Sequence, residues 1–138
     1  MIVSDTIAFH ALLRSAITQT TSGQKIVFDT VQDNLGGAYN GTTGVFTAPR
    51  AGQYVFTLMF LIEQGLRHKS HGDLELRGND RTSIIVRAPE NPGGADTMGS
   101  GTTVLSLNKG DEVYVRAYTE NMYIYAAGYS YFSGYIIA

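Results

Sequence analysis

Apolar and polar residues alternate along short segments of the chain, and clusters of Gly and polar residues interrupt them at intervals of roughly 8 to 12 residues. In one segment Val113, Val115 and Ala117 share a face, and polar and tyrosine side chains occupy the other. No window sustains a helical period with caps at both ends. The pattern predicts an all-β sandwich or barrel with strands at Ile7–Leu13, Lys25–Val31, Gly44–Ala48, Gln53–Ile62, Leu74–Arg77, Thr82–Arg87, Thr102–Leu107, Glu112–Tyr118 and Ser130–Ile137.

Two of these predicted strands, Gln53–Ile62 and Ser130–Ile137, are apolar on both faces. A strand in a two-sheet sandwich buries only one face in its own core, so the second face needs cover. We predict that other subunits provide this cover, and a long internal loop of the same chain is the alternative. The expected interface residues are Tyr54, Phe56, Phe60, Tyr131 and Tyr135.

Length and composition narrow the class of protein. A chain of 138 residues, 43% hydrophobic and 16% charged, has enough apolar surface for the core of one domain. The formal net charge of −2 disfavours a nucleic-acid binder, whose phosphate contacts require a basic surplus. The longest apolar run, Tyr54–Ile62, is less than half of a bilayer span, so we expect no membrane insertion. The absence of Cys excludes disulfides and thiolate metal sites.

A spaced set of aromatic residues in the first half of the chain resembles the signature of the complement C1q globular-head family. The matching residues are Phe28, Asn34, Tyr39, Phe46 and Gly52-Gln53-Tyr54-Val55-Phe56. Leu58 stands where the family usually has Phe or Tyr. Three further segments are similar to family motifs: Ala8-Phe9-His10-Ala11, where Ser is commoner than His10, Leu107-Asn108-Lys109-Gly110-Asp111-Glu112-Val113, and Phe132-Ser133-Gly134-Tyr135.

This resemblance implies a ten-stranded antiparallel jelly-roll sandwich, shared with tumour-necrosis-factor-like cytokines, that assembles as a homotrimer. It covers nearly the whole chain, so we expect residues 1–138 to form a single globular head. Vertebrate members usually have a collagen stalk, and this chain has no Gly-X-Y run. The chain is similar to secreted invertebrate members that act as lectin-like recognition proteins of innate immunity. Its first residues lack a basic region followed by an apolar stretch, so we expect a signal peptide to be absent from this sequence.

Three histidines raise the question of catalysis. His68 and His71 are three residues apart, a spacing that brings two imidazoles together on a helix but not in the loop expected here. No Ser lies in a nucleophile motif. We therefore expect no enzymatic activity.

The loop after Ile62 is the first candidate for ligand binding. It concentrates positive charge in Arg67, His68, Lys69 and His71. Such a cluster favours sialic acids, lipopolysaccharide phosphates or other anionic groups, and more strongly when the histidines are protonated. A solvated loop is the alternative interpretation.

The outer face of the strand Glu112–Tyr118 is the second candidate. It presents Tyr114, Arg116 and Tyr118. Aromatic rings stack on sugar faces, and an Arg guanidinium binds carboxylates through two parallel hydrogen bonds. Ordinary surface tyrosines of a sheet are the alternative.

Two further sites follow from shorter segments. Several members of the resembled family bind calcium just before the strand that corresponds to Thr102–Leu107, and alignment on Val104-Leu105 places Glu90 and Asp96 there. Hard cations favour several oxygen ligands, so we expect calcium as the only cofactor, with a solvated polar loop as the alternative. Asn40-Gly41-Thr42 is an N-glycosylation acceptor in a predicted turn.

These observations predict a secreted, extracellular homotrimer that binds microbial surface glycans or lipopolysaccharide as a multivalent pattern-recognition protein. A cytokine-like trimeric ligand for a cell-surface receptor is the first alternative, and a purely structural trimer is the second.

Overall fold

The computed structural model describes residues 5–64 and 71–138, and within these ranges it contains eleven strands and no helix. The all-β prediction is confirmed. The resemblance implied ten strands, and the structure has eleven over the described residues, of which β2 and β4 have only two residues each. The strands are β1 (Ala8–Leu13), β2 (Lys25–Ile26), β3 (Thr30–Leu35), β4 (Tyr39–Asn40), β5 (Val45–Thr47), β6 (Gly52–Ile62), β7 (Gly72–Gly78), β8 (Arg81–Ala88), β9 (Thr97–Leu107), β10 (Glu112–Ala117) and β11 (Ala127–Ile136).

The strands form two antiparallel sheets. The first sheet has the order β3-β1-β11-β6-β9, and the second has the order β4-β5-β10-β7-β8 with β2 paired to β10. The consecutive strands β6 and β7 lie in different sheets, so the chain crosses from one sheet to the other instead of forming two separate meanders. The inner faces of the two sheets enclose a single hydrophobic core. Among the described residues there is no helix long and apolar enough to span a membrane.

β6 directs every second side chain into the core, and the orientation of these side chains corrects the predicted interface. Tyr54, Phe56 and Phe60 are each 0% exposed, because the pleat of the strand directs them toward the second sheet of the same chain. These three residues therefore do not form the outer surface that we predicted for them. The outer side of β6 consists of half-buried Val55, Thr57, Met59 and Leu61. Because both faces of this strand are apolar, the sequence pattern could not show which face was the inner one.

The family-like aromatic residues meet in one cluster inside the core. The ring of Phe9 stacks on Tyr39 at 4.5 Å between centroids and meets Phe132 edge-on at 5.0 Å. Gly134 lies beneath these rings, and an added Cβ there would lie 2.5 Å from Phe56 and 2.8 Å from Phe9. The hydroxyl of Tyr39 donates a hydrogen bond of 2.8 Å to the carbonyl of Phe28. The spacing of the signature therefore reflects ring packing between strands of both sheets.

The side chain of Asn34 supports the same region by hydrogen bonding to the backbone of Tyr39. Its amide group donates to the carbonyl of Tyr39 at 2.8 Å, and its Oδ1 accepts from the Tyr39 N–H at 3.2 Å. These two bonds close the turn that contains Gly36 and Gly37, both of which have positive φ. The polar position of the signature is thus a turn closure that brings Tyr39 back into the core.

Besides shifts of a few residues at several strand ends, the strands differ from the prediction at three places, the first of which is β4, a strand that was not predicted. The predicted strand Lys25–Val31 is two strands, β2 and β3, which belong to different sheets. β9 begins at Thr97 and not at Thr102, because β6 pairs with it over its whole length as far as Ile62 opposite Thr97. Gly99 lies inside this strand, where an added Cβ would be 2.8 Å from the backbone of Arg87. The Gly-rich segment therefore permits a close approach of β8 and does not form a turn.

Candidate functional site

The outer side of the first sheet is organised in rows of side chains that cross the strands. One row is wholly apolar and consists of Leu35, Ala8, Tyr135, Val55 and Val104. A second row contains Leu12, Tyr131 and Met59 in register, and Leu61 lies opposite Met98 in a third. Several of these side chains remain open to solvent in the single chain, since Tyr135 is 51% exposed and Val104 is 57% exposed. We call the residues of these three rows the apolar face, and the predicted interface residues Tyr131 and Tyr135 belong to it.

One polar row crosses the apolar face. It contains Asp33, His10, Ser133, Thr57 and Thr102 in register across five strands. His10 Nδ1 lies 2.5 Å from Ser133 Oγ, and the hydroxyls of Thr57 and Thr102 are 3.0 Å apart. These side chains thus satisfy part of their hydrogen-bonding capacity within the sheet, which lowers the cost of covering the row.

The outer side of the second sheet has a different chemistry. Glu75 lies directly opposite Arg116 across β7 and β10, and Arg116 Nε donates to its Oε1 at 2.7 Å. Arg77 lies 3.5 Å from Oε2 of the same carboxylate, and Thr82 donates a further hydrogen bond to it. The Glu75 side chain is only 3% exposed. Burial alone would raise the pKa of Glu75, but the hydrogen bonds from Thr82 and Arg116 and the arginine charges outweigh it and lower that pKa.

Tyr114 belongs to the same network. Its hydroxyl accepts from Arg77 Nε at 3.3 Å and donates to Asp80 at 3.2 Å, and Lys25 Nζ lies 4.7 Å from its ring centroid. The predicted binding residues Tyr114 and Arg116 are therefore engaged in contacts within the chain. The third predicted residue of this strand, Tyr118, lies just beyond β10 and is 54% exposed.

A pocket of about 400 Å³ opens beside Tyr118, where β7 begins and β8 ends. We call it the Tyr118 pocket. It brings together His71 and Tyr118, which sequence analysis assigned to two separate surfaces. The residues that line it are Ser22, His71, Asp73, Arg87, Tyr118, Thr119 and Glu120.

Asp73 organises the walls of the Tyr118 pocket. Its carboxylate, 6% exposed, accepts two hydrogen bonds from Arg87, from Nε at 2.8 Å and from Nη2 at 3.0 Å. Its backbone carbonyl accepts from the N–H groups of Tyr118 and Thr119 at 3.0 and 3.2 Å. Its own N–H donates to Thr119 Oγ1 at 3.0 Å. The loop that holds Tyr118 is thereby fixed to the start of β7 before any ligand arrives.

Sequence reasoning missed Asp73 and Arg87 as site residues. The signal that could have found them is the hairpin of β7 and β8, in which Asp73 lies directly opposite Arg87. Opposite charges on directly opposed residues are favourable cross-strand pairs, so a correct hairpin register would have predicted this contact.

The remaining predicted residues occupy separate places. Arg67, His68 and Lys69 lie outside the described residues. Glu90 and Asp96 are exposed in the segment between β8 and β9. Residues 5–64 and 71–138 contain no group of three or more His, Asp or Glu side chains arranged to hold a metal ion. Calcium binding at Glu90 and Asp96 stays a prediction.

Asp96 interacts with Tyr125, which lies in the segment between β10 and β11. Partial burial raises the pKa of Tyr125 to about 12, and a hydrogen bond to Asp96 together with the charges of Asp96 and Glu63 adds to this effect. Tyr125 therefore keeps its proton at neutral pH and remains a hydrogen-bond donor to these carboxylates.

The predicted acceptor Asn40 begins an exposed turn. Its Oδ1 accepts hydrogen bonds from the N–H groups of Thr42 and Thr43, at 2.8 and 3.3 Å. The acceptor triplet is thus presented at the surface, and its glycosylation stays a prediction.

The two-sheet architecture is that of the jelly-roll sandwiches of C1q heads and of cytokines related to tumour necrosis factor. The globular domain of zebrafish complement 1qA protein aligns with a TM-score of 0.76 and 23% identity, over 96% of this chain and 98% of that one. Eiger TNF from S. frugiperda aligns with a TM-score of 0.75 and 11% identity, over 96% of this chain and 92% of that one. Murine APRIL gives a TM-score of 0.75 and 10% identity, over 96% and 100% of the two chains. These likenesses confirm the jelly-roll fold.

A family model for the C1q domain matches residues 8–137, and the chain belongs to this family. Complement C1q tumor necrosis factor-related protein 3 of Mus musculus is 32% identical over 136 residues, which cover 95% of this chain and 51% of that protein. Caprin-2 of Danio rerio is 30% identical over 132 residues, which cover 95% of this chain and 14% of that protein. The chain spans about half the length of the first relative. Proteins of the C1q and TNF-like families are ligand and recognition proteins that form trimers.

Proposed function

We propose that the protein acts outside the cell as a homotrimeric recognition head that binds glycans or anionic groups on microbial surfaces. The observation that supports it best is the contrast between two outer surfaces of one chain. The apolar face lacks cover in the single chain, and the Tyr118 pocket opens on the opposite sheet with polar groups already in place. One surface suits self-association and the other suits a polar ligand.

The apolar face is the part of the chain that we assign to assembly. Its three apolar rows lie on both sides of one hydrogen-bonded polar row, and identical rows on three copies can be buried around a three-fold axis. Exposed contiguous apolar surface of this kind is typical of protein interfaces. Trimer formation in the family makes further copies of this chain the occupant that we propose.

The Tyr118 pocket lies on the other sheet, so a trimer built on the apolar face leaves three pockets accessible. A shallow, open site binds weakly by itself. Three sites on one particle raise the overall affinity for a surface by roughly 10²–10⁴ through effective concentration. Trimerisation therefore belongs to the proposed mechanism of recognition.

Binding to a glycan array and to whole bacteria, each with and without a calcium chelator, tests the proposal. We expect trimers in solution, binding to a subset of glycans or to lipopolysaccharide, and competition by the free ligand. Loss of binding in chelator would support the predicted role of Glu90 and Asp96. The proposal fails if neither a sugar nor an anionic lipid competes.

A cytokine-like ligand for a host receptor is the second candidate. The relatives at 32% identity are named for a tumor necrosis factor relationship, and the jelly rolls of Eiger TNF and APRIL share the fold. Saturable binding to host cells without binding to microbes would favour this candidate over the first.

A further inference from the structure

We propose that the Tyr118 pocket binds one uncharged pyranose ring of a glycan. This inference rests on the proposed function and narrows its ligand from a glycan or an anionic group to a neutral sugar. The described residues of the pocket provide an aromatic ring, hydrogen-bond acceptors and hydrogen-bond donors. This combination suits a polar, uncharged ligand.

The charge balance of the pocket argues against an anionic ligand. Among the residues that the structure describes, the lining contains two carboxylates, Asp73 and Glu120, one guanidinium, Arg87, and the imidazole of His71. The charge of Arg87 is already compensated by its two hydrogen bonds to Asp73. A sialic acid or a phosphate would therefore approach Glu120 without an uncompensated cation among these groups. Repulsion of this kind is a common source of specificity against the wrong ligand.

The shape and the polar groups suit a sugar ring. A volume of about 400 Å³ lies in the range of small-molecule sites and exceeds that of one pyranose, so a neighbouring residue of the glycan can extend outward. The exposed ring of Tyr118 offers its negative π-face to the C–H groups of a pyranose. Glu120 can accept hydrogen bonds from sugar hydroxyls, and the ring nitrogens of His71 offer further hydrogen-bonding groups. Hydroxyl recognition by such groups discriminates strongly against analogues that lack the hydroxyl.

The pocket is preorganised by contacts that do not involve a ligand. Asp73 holds Tyr118 and Thr119 through its backbone, and Ser22 Oγ lies 3.4 Å from the carbonyl of Tyr118 on the other side. Because the loop is already ordered, a ligand does not have to supply the free energy of fixing it. A site with this degree of internal support differs from a solvated surface loop.

Amide NMR spectra of the full chain, titrated separately with methyl α-D-mannopyranoside, methyl β-D-galactopyranoside, N-acetylneuraminic acid and inorganic phosphate, test the inference. We expect at least one neutral glycoside to shift the amide signals of His71, Tyr118, Thr119 and Glu120, and we expect the two anions to leave them unchanged. Tyr118→Ala should weaken this binding about tenfold, and Tyr118→Phe, which keeps the ring, should change it less than about twofold.

Glu120→Gln and Glu112→Gln form a matched pair. Both replace an exposed carboxylate near β10, but only Glu120 lines the pocket. We expect weaker sugar binding for the first variant and unchanged binding for the second.

Three outcomes overturn the inference. The anions alone could shift the pocket signals, the neutral glycosides could shift signals elsewhere, or Tyr118→Ala could bind as the parent does. In each case the proposed function survives, because the trimer still binds a glycan or an anionic group. Failure of every ligand on this panel and on the glycan array would remove both proposals.

Discussion

The two outer faces of this sandwich share one core and differ in where their polar and apolar groups find partners. On the second sheet, the carboxylates of Asp73 and Glu75 are nearly buried and each has an arginine directly opposite on a neighbouring strand. On the first sheet, apolar side chains such as Tyr135 and Val104 remain about half exposed. The carboxylates of the second face find their partners within one chain, whereas the apolar side chains of the first face are only partly covered there.

Buried carboxylates and exposed apolar side chains place different demands on this fold. The former need partners within the chain, and the latter are stabilised when another surface covers them. A buried carboxylate is costly unless it is paired and hydrogen bonded, and Glu75 has three side-chain partners for this purpose. An apolar row such as Val55 and Tyr135 gains nothing until water is removed from it. The polar side chains of the second sheet can therefore face solvent at little cost, whereas the apolar side chains of the first sheet favour association.

Placing a charge on the apolar face should have the largest effect. Met59→Lys introduces one ammonium per chain into the surface that we assign to self-association, and a buried unpaired charge costs about 3–5 kcal/mol per copy. Analytical ultracentrifugation should show monomers with an unchanged all-β circular dichroism spectrum, because the Met59 side chain points away from the core. Ile85→Lys is the control, since Ile85 is 51% exposed on the second sheet. Loss of trimers in the control variant alone would contradict the assignment of the faces.

Removing the buried carboxylate of the polar face should have the next largest effect. Glu75→Ala leaves Arg116 and Arg77 without their shared partner, and we expect a loss of about 3 kcal/mol in the free energy of unfolding. Urea denaturation measures this change, and the trimer mass should persist in native buffer. Glu112→Ala, at the exposed start of β10, should change stability by less than about 0.5 kcal/mol. Equal losses in the two variants would show that the network does not contribute.

The same carboxylate should make stability depend on pH. The pKa of folded Glu75 lies below its ordinary value of 4.5, so its contribution is fully present above pH 4.5 and is lost as the pH falls through the folded-state pKa. Urea denaturation of the parent and of Glu75→Gln between pH 3 and pH 7 should show a stability difference that is largest at neutral pH and shrinks in acid. A difference that stays constant over this range would contradict the assignment.

Apolar replacement in the polar row should have the smallest effect. Thr57→Val removes the hydrogen bond to Thr102 but keeps the shape of the side chain, so we expect a change in unfolding free energy of less than about 1 kcal/mol. Size-exclusion chromatography with light scattering should still show trimers. Dissociation of this variant would mean that the polar row, and not the apolar rows around it, holds the subunits together.

Much of the fold could be predicted from local patterns. Alternation identified the inward residues of β10, because a period of two follows directly from the pleat, and the spacing of Gly and polar clusters placed the strands β1, β6, β7 and β8. The prediction failed at the start of β9, which was placed at Thr102, because pairing with β6 extends the strand back through Gly101 and Gly99 to Thr97. Pairing over eleven residues outweighs the weak local preference of glycine.

The candidate site was predicted only in parts. His71 and Tyr118 were both identified from residue type, but their meeting in one pocket depends on the hydrogen bonds between Asp73 and the loop after β10. Arg116 looked like a free ligand group, and its register opposite Glu75 makes it a structural partner. Such contacts join residues that are tens of positions apart, and a local pattern contains no information on which strands become neighbours.

The sequence alone determined the all-β class, the C1q resemblance and the need to cover a second apolar face, since these depend on residue type and short-range spacing. Tertiary structure decided which face of β6 lies inside, which charges are paired and where the Tyr118 pocket opens. The physical reason is that strand order and register set side-chain partners, and both arise from packing of the whole chain. Tyr54, Phe56 and Phe60 illustrate this, because their apolar character was evident in the sequence and only the second sheet made them core.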